Sequence, residues 1–248
     1  MPSLAAIRAS NAAFSPSYTP VAIFVGGTAG IGQGIAEAFA RHTNGNAHLI
    51  IIGRNQAAAD AILSQFPKPS SGSSAVTPTY EFVQCDVTLM KNVHAVTKEL
   101  LTRMSKVNFL VMTPGYITTK GWEETEEGVD KKLAVHYYSR WKFISDLLPA
   151  LKRAKEAGED AKVLSVLAAG MGGVIDTDDI GLRKTFSFLK ARKQVPTYND
   201  LMMQVSNPSI SLYNFHYSPT LISALRNTPP EIQISHSSMH SQDSCGPP

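Results

Sequence analysis

At 248 residues, 43% hydrophobic and 17% charged, the chain is long enough for one well-cored domain of ordinary globular composition. Its formal charge of +3 is small. The basic clusters at Lys152–Lys155 and Arg183–Lys193 read as solvated helix faces, without the aromatic interleaving that points to nucleic acid. Cys85 and Cys245 form neither a metal spacing nor a disulfide framework, which fits a reducing, cytoplasmic setting, and no apolar run approaches the ~20 residues of a membrane span.

The first 19 residues lack the apolar core of a signal peptide. They are Ser/Ala-rich with one Arg and no acid, a composition shared with transit peptides, and are read as a mobile or loosely docked arm. Val21–Val25 follows Pro20 as a buried strand. From Gly30 the apolar residues Ile31, Ile35, Ala38 and Phe39 recur at helical spacing, and Asn44-Gly45 supplies a stop. Ala47–Ile52 is a second strand, Gln56–Phe66 a helix, and the Pro/Ser-rich "PKPSSGSSAVTP" a surface excursion. Then come a strand at Tyr80–Gln84, a helix at Thr88–Lys106 and a strand at Asn108–Met112. A long helix spans Glu126–Glu156, bent near Pro149. A strand at Ala161–Leu167, helical segments at Asp178–Lys190 and Thr197–Val205, and a sixth strand at Ser209–Phe215 complete the pattern.

Strands alternating with helices predict an α/β, doubly wound, Rossmann-like parallel sheet of about six strands. It occupies residues 20–226, between the arm (1–19) and a tail (227–248) expected to be disordered. Ligands of such sheets bind outside the carboxyl ends of the strands, so the residues just after each strand carry the information.

After the first strand stands Gly26-Gly27-Thr28-Ala29-Gly30-Ile31-Gly32. A strand, a glycine-rich turn and a helix are what a pyrophosphate needs: a tight turn, a backbone without Cβ, close helix–strand packing, and free N–H groups at a helix N-terminus. A glycine-rich turn with no ligand is the alternative. The spacing resembles the T-G-x-x-x-G-x-G turn of the short-chain dehydrogenase/reductase family, with Val25 in the Thr place. Cys85-Asp86-Val87-Thr88 looks like that family's adenine-contacting Asp-Val, with helix capping as the other role for Asp86. Of the family's Asn-Asn-Ala-Gly, the "MTPG" run keeps Gly115 alone. "DKKLAVHYYSRW", "AKVLSVLAAG" and "TYNDLM" resemble a divergent fungal group, several of whose members are associated with secondary metabolism.

The resemblance implies a dinucleotide held by Gly26, Thr28, Gly30, Ile31, Gly32, Asp86, Val87 and Gly115. After the second strand, Gly53-Arg54-Asn55 replaces the acid that would bind a ribose 2′-hydroxyl, and the Arg54 guanidinium suits a 2′-phosphate. NADP(H) is therefore expected rather than NAD(H), with Arg54 and Asn55 in its site. An ordinary surface arginine is the bland reading.

The family's catalytic pattern is broken. It uses a Tyr acid/base, a Lys four residues later, a Ser after the fifth strand and an Asn in the preceding long helix. Tyr198 supplies the Tyr, but Met202 stands four residues on. A tyrosine near pKa 10 without a cation is a poor base at neutral pH. The Ser position falls at Leu167 or Ala168. Ser165 lies two residues earlier on the same strand face, about 6–7 Å deeper, and is the substitute. His136 aligns with the relay Asn and is the candidate proton shuttle. A core-facing serine and a packing histidine are the structural alternatives.

Three readings follow: an NADP(H)-dependent oxidoreductase acting on a small carbonyl or alcohol, a non-redox cyclase or isomerase, and a non-catalytic nucleotide-binding protein. The partners expected are a small-molecule substrate and a second copy in a homo-oligomer, with neither nucleic acid nor membrane. His216–Thr220 resembles the family's Pro-Gly turn at Pro219, with Thr220 for the glycine. The remaining tail is aperiodic, and the irregular spacing of His236, His240 and Cys245 argues for a solvated tail rather than a metal. No seventh strand is legible, so truncation or an altered reading frame, low stability and an incomplete substrate lid are expected.

Overall fold

The computed structural model describes residues 3–68, 79–168, 171–205 and 211–217. Six strands form one parallel sheet: β1 (Val21–Val25), β2 (His48–Gly53), β3 (Tyr80–Gln84), β4 (Phe109–Met112), β5 (Lys162–Ala168) and β6 (Ser211–Tyr217), in the order β3-β2-β1-β4-β5-β6. The expected doubly wound α/β sheet is thus the observed one. The register runs Val25↔Ile52 on one side of β1 and Val25↔Met112 on the other, and Met112↔Ser165 carries it into β5. The carboxyl ends of β1, β2 and β4 therefore lie level, and β5 runs on past them to Ala168.

Strand periodicity divides the core. Ile23, Val25, Ile50, Ile52, Leu110, Met112 and Val163 face α4 (Met90–Arg103) and α6 (Ser139–Glu156), against Val93, Leu100, Phe143 and Leu147. Their neighbours Ala22, Phe24, Leu49, Ile51 and Val111 face α2 (Gly30–His42) and α3 (Gln56–Leu63), against Ile35, Phe39, Ala59 and Ile62. Apolar residues throughout β1 and from Leu49 to Ile52 of β2 suit strands covered on both faces. Each fully buried Ile or Phe contributes about 1.5–3 kcal/mol relative to an exposed one.

Several expectations change. The N-terminal arm contains α1 (Leu4–Ala12), capped by Ser3, with Ile7 buried. Phe14 packs its ring against Phe39 and Phe109, docking the segment before β1 on the α2 face, the second of the two forms expected for the arm. The long helix does not begin at Glu126. Asp130 caps α5 (Lys131–Leu133) by accepting from Lys132 N at 2.9 Å and Leu133 N at 3.4 Å. A Glu124–Asp130 bridge turns the preceding residues into a small hairpin. α5 passes through a π-helical stretch, Ala134–Tyr138, into α6. The two expected helical segments at 178–205 become one helix, α7 (Phe188–Val205), which carries Pro196 in its interior, while residues 178–187 are turns.

Neither Asp86 nor Thr88 caps α4. The helix starts at Met90, and the Glu127 carboxylate accepts from Met90 N at 2.7 Å and Lys91 N at 2.8 Å. An acid satisfies orphan N–H groups at the positive end of the helix dipole, and it ties the loop after β4 to the helix after β3. The expectations for residues 69–78, for Pro219, Thr220, His236, His240 and Cys245, and for the tail at 227–248 lie outside the described residues.

Candidate functional site

The glycine turn joins β1 to α2 where a close approach is unavoidable. Gly26 (φ +86°) and Gly30 (φ +58°) adopt left-handed backbone that side chains rarely tolerate. A Cβ on Gly26 would lie 2.9 Å from both Pro114 N and Thr113 Oγ1. One on Gly32 would collide with Thr113 Oγ1 and the Gly26 carbonyl. Thr113 fixes this approach by donating from its hydroxyl to Gly26 O at 3.1 Å and from its backbone to Val25 O at 2.9 Å. Ala29, at the cap of α2, offers the first turn no side-chain acceptor. The result is a bare backbone cradle at a helix N-terminus, the chemistry a phosphate accepts. Ile31 packs against the α2-side core, and the Thr28 methyl lies near Gly53 at the end of β2.

The other candidate cofactor residues surround that cradle. Arg54 is exposed at the end of β2, and its charge acts on the Tyr116 phenol across the mouth. The Asn55 side chain is already engaged as the cap of α3, accepting from Ala58 N at 3.0 Å. Asp86 makes a local turn, its Oδ1 accepting from Thr88 N at 3.0 Å, while its second carboxylate oxygen has no hydrogen bond among the described residues. Val87 packs on the α4-side core. Gly115 is exposed, and a Cβ there would meet His136 Nε2 at 3.2 Å.

The structure does not bring Tyr198, Ser165 and His136 together through hydrogen bonds. The Tyr198 hydroxyl donates to Gln194 Oε1 at 2.5 Å or to Ile180 O at 3.0 Å, inside a cluster with Leu133, Leu182, Ala191 and Val195. Burial, then the neighbouring Tyr138 and Tyr137, push its pKa up to about 12. Ser165 is fully buried on the α6 side of β5, and its oxygen accepts from Arg140 Nη1 at 2.7 Å. His136 Nε2 accepts from Tyr116 N at 3.2 Å, and its ring also bonds the Lys132 backbone, a pattern that assigns the Nδ1–H tautomer. Desolvation, then the charge of Arg140, lower its pKa to about 4. Both nitrogens are committed and the ring is neutral at physiological pH, an anchoring arrangement for the loop after β4 rather than that of a proton relay.

Three site groups had no signal in the sequence. Arg140 is 2% exposed and donates to Met112 O (3.1 Å), Ser165 Oγ (2.7 Å) and Pro114 O (2.7 Å), joining the ends of β4 and β5 from beneath. Asn199 is buried, and its Nδ2 donates to His136 O at 3.1 Å and Val195 O at 2.9 Å, satisfying a carbonyl within the π-helical stretch. The Tyr116 ring stacks on His136 at 5.9 Å, and its buried hydroxyl has no hydrogen-bond partner among the described residues. Lys190 was legible only as a charge. It stands four residues after Phe186 at the start of α7, bonded to Thr185 Oγ1 at 2.8 Å, so the family's ring–lysine spacing recurs here with Phe in place of Tyr.

Known proteins carry the same organisation. The model of the short chain dehydrogenase family matches residues 20–174, which takes in the glycine cradle, Asp86, Gly115 and Ser165. Oxidoreductase AN1596 of Emericella nidulans is 37% identical over 225 residues, 90% of this chain and 64% of that protein. Oxidoreductase andH of Emericella variicolor is 30% identical, over 82% of this chain and 58% of its own length. Short-chain dehydrogenase/reductase SAT2 of Stachybotrys chartarum is 32% identical, over 72% and 52%. The chain thus spans less than two thirds of the length of these relatives. Among solved structures, the Pseudomonas aeruginosa RhlG/NADP active-site complex superimposes with a TM-score of 0.58 at 17% identity, over 86% of this chain and 78% of that one, a likeness of fold. With the sheet order, the glycine cradle and the family match in agreement, the chain belongs to the short-chain dehydrogenase family.

Proposed function

We propose that this chain binds NADP(H) across the carboxyl ends of β1, β2 and β4 and serves as an oxidoreductase of a small carbonyl or alcohol substrate. The observation that carries the reading is the backbone cradle, where Gly26 and Gly32 have no room for a Cβ and α2 has no side-chain cap. Gly30, Ile31 and Gly32 would hold the pyrophosphate, Arg54 the 2′-phosphate, Asp86 the adenine amino group, and Gly115 the ribose side. The bound nicotinamide supplies or accepts a hydride. The protein holds the two reactants in contact, and positioning of that kind supplies much of a rate by itself. Support comes from the fungal relatives named as oxidoreductases and from the fold shared with RhlG, a protein solved as an NADP complex. A role in secondary metabolism and a cytoplasmic location belong to the same proposal. Among the described residues, no helix is long and apolar enough to cross a membrane.

A second reading, nucleotide binding without redox turnover, is favoured by one observation: the polar groups of Tyr198, Ser165 and His136 are all engaged within the protein. Fluorescence titration with NADPH and NADH, followed by turnover on a carbonyl panel, separates the two. Tight NADPH binding with a preference over NADH, together with NADPH consumption, supports the oxidoreductase. Binding without consumption supports the second reading. Failure to bind either nucleotide overturns both.

A further inference from the structure

Among the described residues, Arg140 is a buried cation whose charge no carboxylate neutralises. Its guanidinium donates to two backbone carbonyls and one hydroxyl, Nε has no partner, and no carboxylate pairs with it among the described residues. Buried charges are ordinarily paired, because the isolated ion costs several kcal/mol of desolvation. Burial lowers its pKa to about 9, which leaves it protonated at neutral pH. Its position is specific. Two of its acceptors, Met112 O and Pro114 O, flank Thr113, and Thr113 and Pro114 are the residues pressed against Gly26. The charge therefore lies one peptide beneath the floor of the cleft, and it is already felt at the His136 ring.

Oxidised and reduced nicotinamide differ by one positive charge on the ring. A fixed cation under the floor repels the oxidised ring and is indifferent to the neutral, reduced one. We infer that Arg140 is a specificity-determining residue that makes the cleft discriminate between the two redox forms of its nucleotide, favouring NADPH over NADP+. This rests on the nucleotide reading above and goes beyond it by giving the site a redox preference. It also gives a physical reason for retaining an unpaired charge that an apolar side chain would replace at lower cost.

The test is calorimetric titration of the whole chain with NADPH, NADP+ and 2′-phospho-ADP-ribose, which lacks the nicotinamide. In the wild type, Kd for NADP+ exceeds that for NADPH on the order of tenfold, and NADP+ binds no more tightly than 2′-phospho-ADP-ribose. Arg140→Met, which keeps the apolar stem, reduces the NADP+/NADPH ratio by about fivefold or more, and Arg140→Lys preserves most of it. A ratio unchanged in a folded Arg140→Met overturns the inference. Should that variant fail to fold, the wild-type comparison decides: NADP+ binding more tightly than 2′-phospho-ADP-ribose, or as tightly as NADPH, overturns it. Binding of 2′-phospho-ADP-ribose in that case leaves the nucleotide reading standing. Absence of binding by all three overturns that reading and this inference with it.

Discussion

The Tyr18 hydroxyl donates to Asp160 Oδ2 at 2.8 Å and accepts from the Asp160 backbone N–H at 2.9 Å, closing a contact between residues 142 positions apart. It sits at the opposite end of the sheet from the cleft, where Val21 N donates to Asn108 Oδ1 and Asn108 Nδ2 donates to Asp160 O. Burial alone would raise the Asp160 pKa, but hydrogen bonds from Lys162 and Tyr18 hold it below the ordinary carboxylate value. Burial raises that of Tyr18. Both groups thus keep the forms that bond each other. Tyr18→Phe removes a donor and an acceptor together, and is expected to cost about 1–2 kcal/mol in urea unfolding without altering nucleotide affinity. A change in NADPH Kd would show that the two ends of the sheet are coupled.

Gly32 tests the cradle. A methyl group there meets the Thr113 hydroxyl and the Gly26 carbonyl, and the carbonyl cannot yield without moving the glycine turn that Thr113 clamps. Gly32→Ala is expected to raise the NADPH Kd by at least about tenfold and to destabilise the fold by about 1–3 kcal/mol, the range for overpacking. Gly158 serves as the control. It has φ +74° and open space around its Cβ position, so Gly158→Ala carries only backbone strain of order 1 kcal/mol and leaves affinity alone.

The contrast between β1 and α7 shows what could be read beforehand. The β1–turn–α2 unit was legible because its signals are local and agree: an apolar run, glycines, then helical periodicity. α7 was not legible as one helix, because Pro196 interrupts the local signal and packing of Ala191, Val195 and Tyr198 overrides it. In the site, Arg54 and Asp86 could be named because they follow strands. Arg140 could not, since an arginine inside a helical pattern reads as a surface residue and its burial is decided by carbonyls on β4 and the turn after it, 28 and 26 positions away. For the same reason His136 looked like a proton shuttle: only the three-dimensional structure shows Tyr116 N and the Lys132 backbone occupying its nitrogens.

His136 also sets a pH dependence. Its folded pKa of about 4 lies below the unfolded value near 6.5, so the folded state resists a proton that the unfolded chain accepts. The stabilising contribution is complete above about pH 6.5 and declines as pH falls from there towards 4. Its size is about 3 kcal/mol, at about 1.4 kcal/mol for each pH unit between the two values. His136→Gln can still accept from Tyr116 N but does not titrate. The difference in urea midpoint between wild type and variant should therefore shrink or reverse on moving from pH 7.5 to pH 4.5. An imidazole resonance titrating near 6.5 in the folded protein would show that the ring is not held neutral.

Phe186 offers the sharpest test of whether redox competence has been lost at one position. It stands four residues before Lys190, packs edge-to-face on Trp122 with ring centroids 5.7 Å apart, and has the Lys132 ammonium 5.0 Å from its ring centroid. A phenol placed there would have the Lys132 ammonium nearby, and a cation lowers the pKa of a tyrosine. Tyr198 has no such neighbour, and its hydroxyl is held by Gln194. Phe186→Tyr is therefore expected to raise NADPH-dependent carbonyl reduction, since a positioned acid contributes about 10²–10⁴-fold. Tyr198→Phe is expected to leave turnover within about twofold while costing about 1 kcal/mol of stability from the lost hydroxyl bonds. If instead Tyr198→Phe abolishes turnover and Phe186→Tyr changes nothing, the acid/base lies at Tyr198, and its bonds to Gln194 and Ile180 must open during the reaction.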